Sequence, residues 1–188
     1  MSRFHRLKAA STVLAAAACL ACSSAAAFDF ETEQIDDALG IGYAVRLLDM
    51  NDDGRRDIVV VDQTRLVWYA NPNWEPHPIL EGQTQPDNVC FAPYDVDRDG
   101  RLDFAIGSGW GRLDTSRDGP LQWAGRSDPA GDAWTVYPLG GEPTIHRIRW
   151  CDLDNDGRAE FVVAPLMGAG TRGPEWDQNP VRLLAYSI

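Results

Sequence analysis

Short apolar runs alternate with acidic loops along this chain. The runs that flank the loops are, in pairs, 43–48 and 58–61, then 89–94 and 104–106, then 146–151 and 161–164. They are rich in β-branched and aromatic residues, which favour strands over helices. Each pair therefore predicts two antiparallel strands joined by the acidic loop between them.

Each of these units continues beyond its first two strands. Further runs, each predicted to be a third or fourth strand, lie at 66–69, 121–124 and 181–186, and at 74–80 and 134–139. Trp74 and Trp134 begin the two fourth strands, so the similarity between units extends past the loops. A repeat of four short strands suits the blades of a β-propeller. The alternative is an antiparallel sandwich with acidic turns.

The predicted fold is thus all-β, with about three β-propeller-type blades of four antiparallel strands at 42–80, 88–139 and 145–188. Propellers usually have roughly four to eight blades. We therefore expect an incomplete or open propeller. Either further blades are missing, or another copy covers the open edges. Residues 28–33 could supply an orphan strand.

The three acidic loops share the pattern D-x-[DN]-x-D-G-x-x-[DE]. Calcium takes about six to eight oxygen ligands, and side chains at alternate loop positions can direct several oxygens inward. The glycine at the sixth position permits a sharp turn. The predicted ligands, where each arginine contributes its backbone carbonyl, are Asp49, Asn51, Asp53, Arg55 and Asp57; Asp95, Asp97, Asp99, Arg101 and Asp103; and Asp152, Asp154, Asp156, Arg158 and Glu160.

These loops are predicted to hold up to three structural Ca²⁺ ions. They are not EF-hands, because the twelfth positions are Val60, Ile106 and Val163 where an EF-hand has a glutamate. The alternative is a set of tight turns with solvated acids. Three copies of the same donor pattern disfavour it, since like charges this close repel unless a cation neutralises them.

Loops of this pattern, followed by short β-rich runs, resemble FG-GAP or VCBS repeats, the blade units of integrin-type propellers. The resemblance covers about 42–188, and it implies a β-propeller with calcium in the hairpin between a blade's first and second strands. Asn51 and Glu160 stand where the repeats of that family have aspartate. The phrases 67–72 and 146–168 are also similar to the propeller part of aldos-2-ulose dehydratase-like proteins, which implies a sugar-processing lyase as an alternative function.

The N-terminal segment predicts export from the cytoplasm. Basic residues, the apolar run 9–22 and small residues up to 27 are typical of a cleaved signal peptide. We expect a secreted, periplasmic or cell-surface protein with no membrane span, and a lipoprotein modified at Cys19 or Cys22 fits less well. In an oxidising compartment, Cys90 and Cys151 could form a disulfide or remain as two buried thiols.

Charge narrows the choice of partners. The whole chain has a formal net charge of -11, and removal of Arg3, Arg6 and Lys8 with the signal peptide leaves -14. Nucleic acids and anionic membranes attract basic surfaces, so neither is an expected partner. Residues 28–188 also lack G-x-S-x-G, H-E-x-x-H, phosphate-loop and C-x-x-C motifs, which disfavours an enzyme.

The expected function is therefore a non-catalytic repeat module that binds or scaffolds a protein or carbohydrate ligand. Loops on the face opposite the calcium hairpins are the better place for such a site, because consecutive loops of a blade alternate between faces. Tryptophan and arginine side chains there could stack on and hydrogen-bond a sugar, or could pack between blades instead. The candidate ligand-binding residues are Trp110, Arg112, His146, Arg147 and Trp176.

Overall fold

The fold was analysed in a computed structural model, which describes residues 28–111, 114–127 and 133–187. The chain divides into two units, Met1–Gln34 and Ile35–Ile188. The predicted signal peptide lies outside the described residues. Residues 28–33 join none of the three sheets, and Phe28 and Phe30 are almost fully exposed. Residues 28–33 form no strand by themselves, so the orphan strand suggested there gains no support.

The second unit is all-β: its described residues form eleven strands and no helix. Each sheet is an antiparallel meander, in the order β1-β2-β3-β4, β5-β6-β7-β8 and β9-β10-β11, and none is closed. The strands are β1 Ala44–Leu48, β2 Asp57–Val61, β3 Arg65–Ala70, β4 Glu75–Glu81, β5 Cys90–Tyr94, β6 Asp103–Gly107, β7 Asp118–Arg126, β8 Trp134–Pro143, β9 Ile145–Cys151, β10 Glu160–Pro165 and β11 Leu184–Tyr186. The prediction of open propeller-type blades is confirmed.

Three strands differ by three or more residues from their predicted runs. The β7–β8 hairpin is longer, and its pairing extends from Asp118 with Pro143 to Arg126 with Trp134. A register shift lies between Leu121 and Gln122, and the ladder continues on both sides of it. β11 is shorter, since only three of its residues pair with β10, and the preceding Leu183 is 75% exposed.

The core consists of two apolar layers, one between the first and second sheets and one between the second and third. Val59 and Val61 of β2 alternate with half-buried residues and pack in the first layer with Phe91 and Phe104 of the second sheet. The second layer is built from residues of all three of β5, β9 and β10, among them Ala92, Ile148 and Phe161. Face-to-face packing of successive four-stranded sheets is how propeller blades bury their apolar sides.

The two cysteines among the described residues, Cys90 and Cys151, are both free thiols with different surroundings. Cys90 is buried in the second layer, and this burial raises the pKa of its thiol to about 12. Cys151 is exposed at the end of β9. The expectation of two buried thiols therefore holds for Cys90 alone, because the final residue of β9 faces away from the layer that buries Ile148.

Within the described part of the chain, no helical segment has the length and hydropathy that a bilayer crossing requires.

Candidate metal loops and ligand cleft

The three acidic loops connect the first two strands of each sheet, so they lie at equivalent ends of their hairpins. Successive loops are also neighbours. Asp49 and Asn51 of the first loop and Arg101 of the second line one cavity of about 220 Å³. Arg98 of the second loop and Arg158 of the third line another. The candidate metal positions therefore form a row along one side of the three sheets.

All three loops have the same backbone shape. The sixth-position glycines have φ angles of 83°, 87° and 85°, in the left-handed region that favours glycine. The fourth positions are also left-handed, with φ angles of 60°, 64° and 63° at Asp52, Arg98 and Asn155. Asp and Asn tolerate this conformation better than most residues. Sequence reasoning identified the glycines but missed the fourth positions, for which the Asp and Asn were the available signal.

Backbone N–H groups hold the loop carboxylates in place. The glycine N–H donates to the first-position carboxylate at 2.9 Å from Gly54 to Asp49, 2.9 Å from Gly100 to Asp95, and 3.0 Å from Gly157 to Asp152. The seventh-position N–H donates to the fifth-position carboxylate at 2.8–2.9 Å in each loop. These bonds orient the oxygens of alternate side chains toward the interior of each loop.

The ninth-position carboxylate ties the end of each loop to its start. The N–H of the second-position residue donates to Asp57, Asp103 and Glu160, at 2.8 Å in all three cases. Asp57 is fully buried and its other oxygen accepts a bond from the Asn71 N–H at 2.9 Å. A carboxylate oxygen has more than one lone pair, so these bonds leave acceptor capacity for a cation.

The donor sets differ between loops. In the second loop, ligand atoms of Asp95, Asp97 and Asp99 lie within 4.8 Å of one another, and Asp152, Asp154 and Glu160 do the same in the third. Asp95 Oδ1 is buried with no hydrogen-bond partner among the described residues. A buried acceptor without a donor is costly, and a hard cation would satisfy it. The residues present therefore fit a calcium ion.

The first loop is less well suited to a cation. Asn51 replaces a carboxylate, and its amide donates to Asp53 at 3.4 Å. The Arg55 guanidinium also pairs with Asp53, at 3.3 Å. The Arg55 N–H is the main reason why the pKa of Asp53 lies below its ordinary value. In the second loop, by contrast, burial raises the pKa of Asp103 to about 6, and nearby Asp97 and Asp99 add to this effect.

At the opposite ends of the sheets, the loops after β6 and β10 form an open cleft of about 510 Å³. It is lined by Trp110 from the loop after β6. The loop after β10 contributes Leu166, Met167, Trp176 and Asp177. The loops are bonded to each other, since the Gly170 N–H donates to the Thr115 carbonyl at 3.2 Å. The two candidate tryptophans are thus brought to one surface.

The other candidate ligand residues do not join this cleft. His146 and Arg147 are absent from its lining, and an Arg147 N–H donates to the His146 carbonyl at 2.7 Å. Burial and the Arg147 charge hold the pKa of His146 below its ordinary value. Arg112 lies outside the described residues. The structure also shows a second cleft beside Trp110, to which Gln85 and Asp87 contribute although the sequence did not predict them there.

Similarity to known proteins covers the region of the first two acidic loops. A sequence model of the FG-GAP-like repeat matches residues 49–106. This region of the chain is similar to an FG-GAP-like repeat. The match begins at the first acidic loop and includes the second, so the FG-GAP-like region runs from Asp49 through β2, β3, β4 and β5 to Ile106 in β6. No curated protein matches the chain, and the resemblance to aldos-2-ulose dehydratase-like proteins gains no support.

The third acidic loop lies outside the matched FG-GAP-like region but has the same internal bonds. Leu153, Gly157 and Arg158 donate to loop carboxylates as their counterparts in the FG-GAP-like region do. Its left-handed positions are equivalent too. The hairpin of the third sheet is thus built like the FG-GAP-like hairpins of the first two sheets.

Proposed function

We propose that this chain is a calcium-binding FG-GAP-like repeat module that works outside the cytoplasm as a non-catalytic binding or scaffolding unit. The observation that supports it most is the threefold recurrence of one loop geometry, with backbone N–H groups orienting carboxylates in the same way. Isolated turns would not need the same donors at the same positions.

The proposed calcium role is structural. Each loop gathers several carboxylates whose mutual repulsion destabilises the hairpin, and a bound cation would replace that repulsion with attraction. The buried, unpartnered Asp95 Oδ1 is the strongest local indication of such a cation in the second loop. Because the ion would bind the folded loop only, calcium should stabilise the fold by mass action.

Thermal unfolding of the full chain tests this proposal. We expect the melting temperature to fall in chelator and to recover with calcium but less with magnesium, which prefers a smaller octahedral site. Asp97→Asn keeps the acceptor for the Asp99 N–H while removing a charge, so it should reduce the calcium-induced shift. Asp37→Asn removes an exposed carboxylate outside the loops and is the matched control. A melting temperature that changes with neither chelator nor calcium contradicts the proposal.

Export is the second part of the proposal, and it is supported by the N-terminal sequence. Expression of the full-length chain should yield an extracytoplasmic product whose mass corresponds to cleavage near residue 27. A product that retains residues 1–27 in the cytoplasmic fraction would contradict it.

A structural repeat that assembles through its open sheets is a second candidate function. It is favoured by one face of β1, where Val45 and Leu47 are 58% and 61% exposed. Exposed apolar residues on an unpaired sheet face favour association. Sedimentation of the full chain over a range of concentrations distinguishes the two candidates, because only the assembling protein should change its mass. The sugar-processing lyase stays a sequence-based expectation with no observation in its favour.

A further inference from the structure

Trp110 lines two clefts that differ in the polarity of their side chains. The cleft of about 510 Å³ that it shares with Trp176 is mostly apolar, with Leu166 and Met167 as its floor. Trp176 is 39% exposed and Leu166 is 46% exposed, so an aromatic and an aliphatic surface both face solvent. Isolated exposed apolar residues are ordinary, but two tryptophans lining one cleft form a stacking surface.

The second cleft, of about 340 Å³, has more polar side chains in its lining. Its side-chain lining consists of Gln85, Asp87, Asp114 and Arg117 around Trp110. Asp114 accepts bonds from the N–H and hydroxyl of Ser116, and these bonds hold its pKa below the ordinary value. The cleft thus offers carboxylate acceptors, an amide and a guanidinium next to an indole ring.

Both clefts are held in shape by hydrogen bonds within their loops. The Gly109 N–H donates to the Pro86 carbonyl at 3.1 Å, which fixes the chain just before Trp110. In the other loop, the Gln178 side chain accepts from the Arg172 N–H and donates to the Arg172 carbonyl, both at 3.0 Å. A preformed site loses less entropy on binding than a loop that must first become ordered.

A ligand that suits both clefts needs an apolar face and several hydroxyl groups. Sugar rings have this combination, because their C–H faces stack on aromatic rings while their hydroxyls donate to carboxylates and accept from amide and guanidinium groups. The combined size of the clefts falls in the usual range of ligand sites, roughly 300–1,000 Å³.

We propose that the surface centred on Trp110 and Trp176 is a carbohydrate-binding site. The proposal rests on the proposed role as a binding module, and it names the class of ligand for that role. The site lies at the loops after β6 and β10, away from the acidic hairpins, so calcium would affect it through the stability of the fold.

Charge narrows the ligand further, to neutral glycans. Among the described residues that line the two clefts, three are carboxylates, Asp87, Asp114 and Asp177, and one is a guanidinium, Arg117. An acidic sugar would add a further negative charge to an acidic surface of an acidic protein. Uronic acid and sulfated glycans should therefore bind more weakly than neutral ones.

The test is a glycan array probed with the full chain in calcium, followed by calorimetric titration of the neutral oligosaccharide that gives the strongest signal. Trp176→Ala and Asp114→Asn should each weaken binding by about tenfold or more, as loss of a stacking platform or a charged hydrogen bond implies. Tyr137→Ala is the control, because Tyr137 is 41% exposed on β8 and lines neither cleft.

The same samples keep this proposal separate from the calcium proposal. Each variant should show the calcium-dependent melting temperature of the unaltered chain, which establishes that it is folded. No binding to any neutral glycan by a chain that calcium stabilises would overturn the carbohydrate site and leave the calcium proposal intact. Preference for acidic glycans, or equal loss of binding in Tyr137→Ala, would also overturn it.

Discussion

The first and second acidic loops have nearly the same backbone and different side-chain chemistry. Both hold their first and fifth carboxylates with the same N–H donors, at 2.9 Å in each case. Yet the first has Asn51 where the second has Asp97, and only the first pairs its fifth carboxylate with an arginine side chain. A shared backbone can therefore support sites of unequal charge, and the second loop should bind calcium more tightly than the first.

The ninth-position carboxylates of the first and second loops also differ in their surroundings. Asp57 accepts N–H bonds on both oxygens, from Met50 and Asn71, whereas the described bonds of Asp103 come from the start of its own loop, at Val96. Burial also raises the pKa of Asp103 to about 6, so the fold opposes its charge. In the first loop this carboxylate serves mainly the hairpin, and in the second it is more available to a cation.

The largest expected effect comes from removing these two carboxylates. Asp57→Ala leaves two backbone N–H groups without an acceptor, and each costs about 1–3 kcal/mol when buried. We expect Asp57→Ala to lower the free energy of unfolding in chelator by about 2–5 kcal/mol, and Asp103→Ala to lower it by about half as much. Urea unfolding in chelator measures both, with Asp37→Ala as the exposed control.

In this experiment the comparison fails if Asp103→Ala is the more destabilising variant without calcium. With calcium added, we expect Asp103→Ala to become the more destabilising of the two variants, because the second loop loses a calcium ligand as well as a hydrogen bond. Both variants remove a carboxylate of the same position, so a difference between them reports the local surroundings and not the loss of charge alone.

The blade strands were predictable because their apolar residues alternate in a way that needs little tertiary information. Val59 and Val61 are fully buried on one face of β2, as period-two patterning requires. The loop donors followed from a fixed spacing, since the left-handed glycines limit the possible turns. For the same reason, the third acidic loop could be placed, although only the first two acidic loops lie in the matched region.

Packing between distant segments explains what the sequence analysis missed. Gln85 and Asp87 precede β5, and only the pairing of β5 with β6 brings them beside Trp110, which follows β6. The position of the Arg147 side chain also depends on packing that the sequence does not show. Its guanidinium donates to the His146 carbonyl, and it lines neither of the clefts beside Trp110. The run 121–124 was likewise shorter than β7, whose pairing with β8 extends on both sides of a register shift.

A smaller effect is expected from exchanging the third-position residues. Asn51→Asp gives the first loop the charge of the second, and should raise its calcium affinity about three- to tenfold, since affinity follows the number of charged ligands. Asp97→Asn should lower the affinity of the second loop by a similar factor. Calorimetric titration measures each change, with the other two loops weakened by third-position asparagines.

Asn73→Asp is the matched control for this exchange, because it makes the same chemical change at an exposed position outside the loops. An equal gain in affinity from Asn73→Asp would attribute the effect to net charge. In chelator, Asn51→Asp should be slightly destabilising, since it adds a carboxylate beside Asp49 and Asp53 with no cation to offset it.

The smallest effect should come from the arginine that pairs with Asp53. The Arg55 side chain is 55% exposed, and exposed ion pairs contribute only about 0.2–1 kcal/mol. Arg55→Ala keeps the backbone carbonyl and frees a carboxylate oxygen, so the calcium affinity of the first loop should rise by no more than about fivefold. Arg158→Ala in the third loop is the matched variant, because Arg158 forms no ion pair among the described residues.

Loss of positive charge is common to both variants, so the excess gain in Arg55→Ala measures the release of Asp53. That excess should shrink as salt concentration rises, since salt screens the exposed pair. An equal gain in the two variants at low salt would show that the Arg55 pair does not distinguish the first loop from the others.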